Sequence, residues 1–298
     1  MLTSLTVHLF PIKDSVLPPT MGHYIHAVFL KILHQTDPQT ARQIHTNSRY
    51  KPFTVSPLQG NFIKLKKDKL LIPEDTNCWI RFTIMEDEIT SAIVRFFLES
   101  DSSLIRLGND LFQVTKISTH SGINGQWNAC ATFREILDYA SDDFNMLRMR
   151  FYSPTAFKTT SKSNGKSRNH VFPDQVYCFQ SWVRKWNHFS PITIDEKAVL
   201  GFVKKNIRST RYSIETKIMD FGRYKQMGFV GECEYKLIRK KSGSWSEKQN
   251  RLLKQVSALA DFAFYCGTGY KTTMGMGQTR REVSDEIRHV SKDFLSRN

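Results

Sequence analysis

Residues 267–277 read GTGYKTTMGMG and place four glycines within eleven positions. The stretch follows a helical pattern over residues 246–266 and overlaps the start of a predicted strand over residues 276–283. Glycine adopts left-handed turns and lets another backbone come close, so the amides of such a loop can face an anion. Lys271 adds a positive charge within the stretch. Taken alone, the glycines favour a simpler interpretation, which is a hairpin between a helix and a strand.

Two known glycine motifs are excluded for this stretch. A nucleotide P-loop requires a preceding strand and a following GK[ST], and neither is present. The dinucleotide fingerprint opens a helix, whereas these glycines follow one. In a very basic chain, a glycine loop between the last helix and the last strand instead suggests a contact with a nucleic acid backbone.

Composition narrows the class of partner. The chain has 298 residues and 40% hydrophobic content, which is enough for one large domain or two of ordinary size. Its formal net charge of +15 predicts a polyanionic partner. Five dispersed cysteines without a CxxC pair indicate buried thiols rather than disulfides or a zinc site. No apolar run approaches membrane-spanning length and no signal-peptide pattern is present. We therefore expect a cytoplasmic protein that has no membrane partner and needs no metal or other cofactor.

The first half alternates strand and helix patterns. Residues 2–10 alternate apolar and polar side chains, which is typical of a half-buried strand. Residues 20–34 carry apolar side chains at helical spacing, and a short second helix is predicted to end near His45. Strand patterns over residues 51–57, 62–66, 78–85 and 111–118 and a helix over residues 88–98 complete the unit. The order is that of the ferredoxin-like βαββαβ fold found in RNA-recognition motifs.

The second half repeats this order with insertions. Strands are predicted over residues 146–152, 209–221, 228–237 and 276–283, and helices over residues 173–189, 195–206 and 246–266. Residues 158–170 are polar and basic, and are predicted to form a loop. The linker candidate is SGINGQ at residues 121–126. The fold class is therefore α+β, with two tandem ferredoxin-like domains over residues 1–121 and 126–298.

Together with the N-terminal strand and helix, five stretches resemble one known family in their order and spacing. They are IHTNSRYKPFTVSPL at residues 44–58, FYSPTAFK at 151–158, FPDQVYCFQSWVRKWN at 172–187, GFVG at 228–231 and the glycine stretch itself. The chain is similar to the CRISPR-associated endoribonucleases of the Cas-six family, in the RAMP superfamily, which cut repeat RNA into guide RNAs. The resemblance implies tandem ferredoxin-like domains, metal-independent cleavage within a CRISPR repeat, and products with 5′-hydroxyl and 2′,3′-cyclic phosphate ends.

Metal-free cleavage needs a group that accepts the 2′-hydroxyl proton, a group that protonates the leaving 5′-oxygen, and a cation near phosphorus. The resemblance implies that His45 is the catalytic histidine and that Lys51 assists the cut. Some family members use a tyrosine on the first helix, where this chain has Leu30, a side chain that transfers no proton. His26 lies one helical turn earlier and is our substitute for it, with His23 and His34 as neighbouring alternatives.

RNA binding is predicted for the glycine stretch and for a basic cluster. The predicted RNA contacts are Gly267, Gly269, Lys271, Gly275, Gly277, Arg208 and Arg211. The two arginines follow a helix that ends in Lys204 and Lys205. Basic runs of this kind are usually solvent-exposed surface, but in a chain with this net charge we expect at least one of them to contact phosphate.

Two other functions compete with the nuclease. One is a non-catalytic RAMP subunit that holds guide RNA in an effector complex, and the other is a general single-stranded RNA binder of the RNA-recognition-motif type. His45 beside KPFTVSP favours the nuclease, and the exposed aromatic signature of the second alternative is not visible in the sequence. CRISPR repeat RNA is the predicted partner, and the sequence leaves effector subunits and a homodimer open.

Overall fold

The structure is a computed structural model that describes residues 1–47, 50–66, 69–99, 104–119, 127–160, 167–222, 224–239 and 245–282. For residues 45–47 and 160 it describes the backbone.

The first half of the chain builds a main sheet with helices on one side, and a small separate sheet of three strands over residues 15–17, 63–65 and 69–72. Its elements in chain order are β1 (Leu2–Pro11), β2 (Ser15–Leu17), α1 (Gly22–Thr36), α2 (Pro38–Asn47), β3 (Phe53–Val55), β4 (Gln59–Gly60), β5 (Ile63–Leu65), β6 (Lys69–Ile72), β7 (Cys78–Ile84), α3 (Asp87–Glu99), β8 (Leu104–Leu107), β9 (Asp110–Ser118), β10 (Ala129–Ala131) and α4 (Phe133–Asp138). The sheet has the order β3-β7-β1-β9-β8, and all of its pairs are antiparallel. Its four main strands follow the ferredoxin-like order, so the predicted fold of this half is confirmed.

Alternation along β1 separates an apolar core face from a polar face that is also buried over residues 3–6, so the prediction of a half-buried strand is wrong for that face. Leu5, Val7 and Leu9 are buried in the core that α1 and α3 also contact. Burying a side chain of this size contributes about 1.5–3 kcal/mol, so these positions fix the register of the sheet. Ser4 and Thr6 point to the opposite face, where β7 places Arg81 and Thr83. That opposite face meets the second half of the chain.

The second half builds a second sheet of the same topology. Its elements are β11 (Met146–Thr155), β12 (Phe157–Thr160), β13 (Ser167–His170), α5 (Gln175–Phe189), α6 (Glu196–Asn206), β14 (Ile207–Asp220), β15 (Lys225–Leu237), α7 (Glu247–Cys266), a short 3-10 helix (Thr272–Met274) and β16 (Thr279–Glu282). The strand order β14-β15-β11-β16 is again ferredoxin-like and antiparallel. The α+β class with two ferredoxin-like domains is therefore confirmed.

The aromatic stripe of α5 lies in the second core, as its spacing predicts. Trp182 and Trp186 are fully buried and pack with α7. The predicted loop over residues 158–170 is wrong in part, because Phe157–Thr160 and Ser167–His170 pair as an antiparallel hairpin. Polarity alone does not distinguish a solvent-exposed hairpin from a loop.

The predicted linker at residues 121–126 lies outside the described residues, so the domain boundaries stay a prediction. Just beyond it, β10 pairs with β1 of the first sheet, whereas α4 packs against α7 of the second domain. Of the helices that the structure describes, none is long and apolar enough to span a bilayer.

Candidate active site and glycine segment

The C-terminal end of α7 is held by side chains from both domains. Its last carbonyls lack helical partners, as in every helix. Arg81 donates to the carbonyl of Phe264 at 2.8 Å, and Thr83 donates to that of Tyr265 at 2.5 Å.

Lys185 on α5 donates to the two carbonyls that follow. Its Nζ lies 2.8 Å from the oxygen of Cys266 and 3.1 Å from that of Gly267. Burial lowers the pKa of Lys185. The negative end of the helix dipole faces this cation, so the contact is favourable and fixes the point where the glycine segment, residues 267–277, begins.

The glycine segment turns its amides into the protein. The N–H of Gly269 donates to Ser181 Oγ at 2.9 Å, and that of Gly277 donates to the carbonyl of Pro154 at 3.0 Å. The N–H of Gly267 donates to the carbonyl of Ala263. These three amides are therefore paired within the protein, which supplies their acceptors.

Close backbone contacts explain the glycines. A Cβ at Gly269, where φ is +77°, would lie 2.2 Å from the carbonyl oxygen of Ala156. One at Gly277 would lie 2.1 Å from that of Thr268. Side chains cannot be accommodated at such distances, so these positions require glycine, and the segment packs closely between α7 and β16. That these glycines contact RNA stays a prediction.

Gly269→Ala is expected to destabilise the protein by about 2–4 kcal/mol, because it combines a left-handed φ with a backbone clash. Gly201→Ala is the matched control. It lies within α6 with no atom within 4 Å of the added Cβ, so alanine there should stabilise by about 0.5–1 kcal/mol. Urea unfolding of both variants measures the two values, and equal effects at the two positions would contradict the packing explanation.

The 3-10 helix of the segment docks on α1 of the first domain. His26 Nδ1 donates to the carbonyl of Thr273 at 2.8 Å, and the His26 ring stacks on Phe53 at 5.6 Å. A Cβ at Gly22 would lie 2.0 Å from the carbonyl oxygen of Met274, so α1 and the segment approach as closely as two backbones can. The seam between the domains runs through this contact.

Lys271 is surrounded by aromatic side chains. Its Nζ lies 3.9 Å from the ring centroid of Tyr224 and 4.6 Å from that of Phe221, and it also donates to the Tyr224 hydroxyl. Cation–π contacts of this kind stabilise a cation by about 0.5–2 kcal/mol. These contacts link the glycine segment to the turn between β14 and β15. That Lys271 also contacts RNA stays a prediction.

The structure brings Lys51 to the end of α2. His45 lies in the last turn of that helix, and Lys51 Nζ donates to the carbonyl of Ile44, the residue before it. This contact brings Lys51 to the helical turn that carries His45, the other predicted catalytic residue. Leu30 is partly buried against the first core, consistent with its apolar character.

The other histidines of α1 differ in environment. His23 is partly buried, and its Nδ1 has no hydrogen-bond partner among the described residues. Burial lowers the pKa of His23, and the charge of Asp220 opposes that shift. His34 lies exposed in the last turn of α1. The catalytic role of His26 stays a prediction, and its Nδ1 is the atom engaged by Thr273.

Arg208 and Arg211 lie far along β14 from the glycine segment. Both side chains are exposed on this edge strand, and Arg208 donates to the carbonyls of Lys204 and Ile207. The segment contacts Phe221, just past the opposite end of β14, which is roughly 30–45 Å from the two arginines at the usual rise per residue. The structure therefore does not bring these predicted RNA contacts together with Lys271.

Sequence reasoning missed the two buried cations at the end of α7. Lys185 follows Trp182 by three residues, so it stands on the apolar stripe of α5. Arg81 alternates with buried residues along β7. A cation on an apolar stripe was the available signal for Lys185. Arg81 stands on the polar face of β7, and the sequence carried no signal that this face is buried.

Comparison with known proteins agrees with this architecture. The family model for the CRISPR Cas6 N-terminal domain matches residues 1–138, and that for CRISPR-associated endoribonuclease Cas6 matches residues 149–279. A CRISPR-associated endoribonuclease Cas6 from Streptococcus thermophilus is 25% identical over 140 residues, which are 47% of this chain and 54% of that protein. The match thus spans about half the length of that curated relative.

Solved structures share the fold over nearly the whole chain. A Cas6 product complex has a TM-score of 0.75 at 22% identity, covering 95% of this chain and 100% of that one. Thermus thermophilus Cas6 has a TM-score of 0.66 at 22% identity, covering 95% and 98% of the two chains. With both halves matched by family models and the fold matched throughout, the chain belongs to the CRISPR-associated endoribonuclease Cas6 family.

Proposed function

We propose that this protein is a metal-independent endoribonuclease that cleaves CRISPR repeat RNA into guide RNAs. The observation that carries the proposal is the contact of Lys51 with the carbonyl of Ile44, which puts a cation beside the turn that bears His45. Membership of the Cas6 family and the likeness to Cas6 product and substrate mimic complexes support RNA as the substrate.

The reaction needs three roles at one phosphate. The 2′-oxygen attacks phosphorus and the bond from phosphorus to the 5′-oxygen breaks, which leaves a 2′,3′-cyclic phosphate and a 5′-hydroxyl. His45 accepts the 2′-hydroxyl proton, and Lys51 exchanges its carbonyl partner for a phosphate oxygen and offsets the added charge.

A second group returns a proton to the leaving oxygen. His26 is our candidate, and Nε2 would be the transferring atom because Nδ1 donates to Thr273.

Incubation of the purified protein with a CRISPR repeat RNA in EDTA tests the proposal. We expect one cut in each repeat, with a 3′ product end that resists ligation until the cyclic phosphate is removed. Cleavage that appears only after Mg²⁺ is added would contradict metal independence. Tight binding without cleavage under either condition would establish the alternative, a RAMP subunit that only holds RNA.

A further inference from the structure

A polar cavity of about 390 Å³ lies between the two domains, beside the predicted catalytic residues. Tyr50 forms its wall on the first domain and directly precedes Lys51. Arg184, Asn187, His188 and Glu196 form the wall on the second domain. None of the lining side chains is aliphatic, so the cavity suits a polar ligand.

Arg184 and Glu196 present donors and acceptors side by side. Arg184 Nε donates to Glu196 Oε1 at 2.7 Å, and both side chains are about one third exposed, at 39% and 34%. Neither the Arg184 nor the Glu196 side chain makes a further hydrogen bond within the described part of the chain. A guanidinium has further N–H donors and a carboxylate has further lone pairs, so both groups retain capacity for a ligand.

An aromatic pair completes the wall. The rings of Tyr50 and His188 lie 5.4 Å apart at an interplanar angle of 62°. Asn187 is occupied, since it exchanges two hydrogen bonds with the backbone of Ile194 at 2.7 and 2.8 Å. Ring faces at the edge of a polar slot are the surfaces on which unpaired bases stack.

We propose that this cavity binds one guanine base of the RNA, next to the scissile phosphate. Guanine alone among the four bases presents two adjacent N–H donors, which match the two oxygens of Glu196, beside a carbonyl that accepts from Arg184. The carboxylate offsets the charge of the guanidinium, so the cavity suits a base better than a phosphate. The inference rests on the proposed function and adds a position that reads sequence.

Single-turnover cleavage of a repeat RNA series tests the inference. Each nucleotide near the cut is changed in turn to each of the other bases, and the preferred guanine is also replaced by inosine, which lacks one of the two donors. We expect the wild type to prefer guanine at one position by roughly 5- to 150-fold, with inosine intermediate. Glu196→Gln, which keeps the shape and removes the paired acceptors, should reduce this preference below about threefold.

Two variants and a binding assay make the test decisive. Arg184→Ala should also relax the preference, whereas Lys197→Ala, an exposed neighbour on α6, should keep it. A wild type with no guanine preference, or Glu196→Gln with the wild-type profile, overturns the inference. If the wild type binds the RNA without cutting it, the proposed function fails, and equilibrium binding of the same base series still decides whether the cavity reads guanine.

Discussion

His45→Ala is expected to slow cleavage of repeat RNA by about 100- to 10,000-fold and to leave the affinity for that RNA within about threefold. The reason is that the imidazole moves a proton in the transition state, whereas binding depends on contacts spread over a basic surface. Single-turnover cleavage with excess protein measures the first quantity, and equilibrium titration with uncut RNA measures the second.

His8→Ala is the matched control for this prediction. Its imidazole lies on β1 of the first sheet, whereas the candidate catalytic histidines lie on α1 and α2. The control should cleave at the wild-type rate. If His45→Ala cuts as fast as the control, the proton transfer belongs to another group, and the assignment of the site to the end of α2 is wrong.

The sequence predicted the fold well because the fold follows local periodicity. Alternation along β1 and helical spacing along α1 and α5 each encode which face is buried, and every such face is buried in the structure. The two ferredoxin-like orders then follow from the succession of elements. Elements in which burial carries no clear period were predicted poorly, such as β12 and β13, where Lys158 and Arg168 are solvent-exposed.

The candidate site was only partly accessible from sequence, since its contacts join distant residues. The partner of Gly269 is Ser181, 88 positions earlier, and His26 meets Thr273 across 247 positions. A glycine pattern shows that the backbone comes close to something, and does not show whether that neighbour is RNA or the protein itself. The sequence alone therefore could not predict which acceptors the amides of the glycine segment bind.

Arg81→Ala is expected to lower the free energy of unfolding by about 3–5 kcal/mol and the melting temperature by roughly 10 °C. Arg81 is fully buried against the rings of Trp127 and Phe264, with its guanidinium carbon 4.8 and 4.0 Å from their centroids. It donates to Ser4 Oγ at 2.8 Å as well as to two carbonyls. Burial lowers its pKa to about 9, which still leaves it charged at neutral pH.

The size of the effect follows from what alanine leaves behind. The carbonyl of Phe264 loses its donor at the end of α7, and the space that the guanidinium filled beside the two rings becomes a cavity. Arg106→Ala is the control, because that arginine is exposed on β8 and should change stability by less than about 0.5 kcal/mol. Since Arg81 lies on the first sheet and Phe264 on the second domain, urea unfolding of Arg81→Ala should also become less cooperative. Equal melting temperatures for the two variants would show that the buried cation does not hold the domains together.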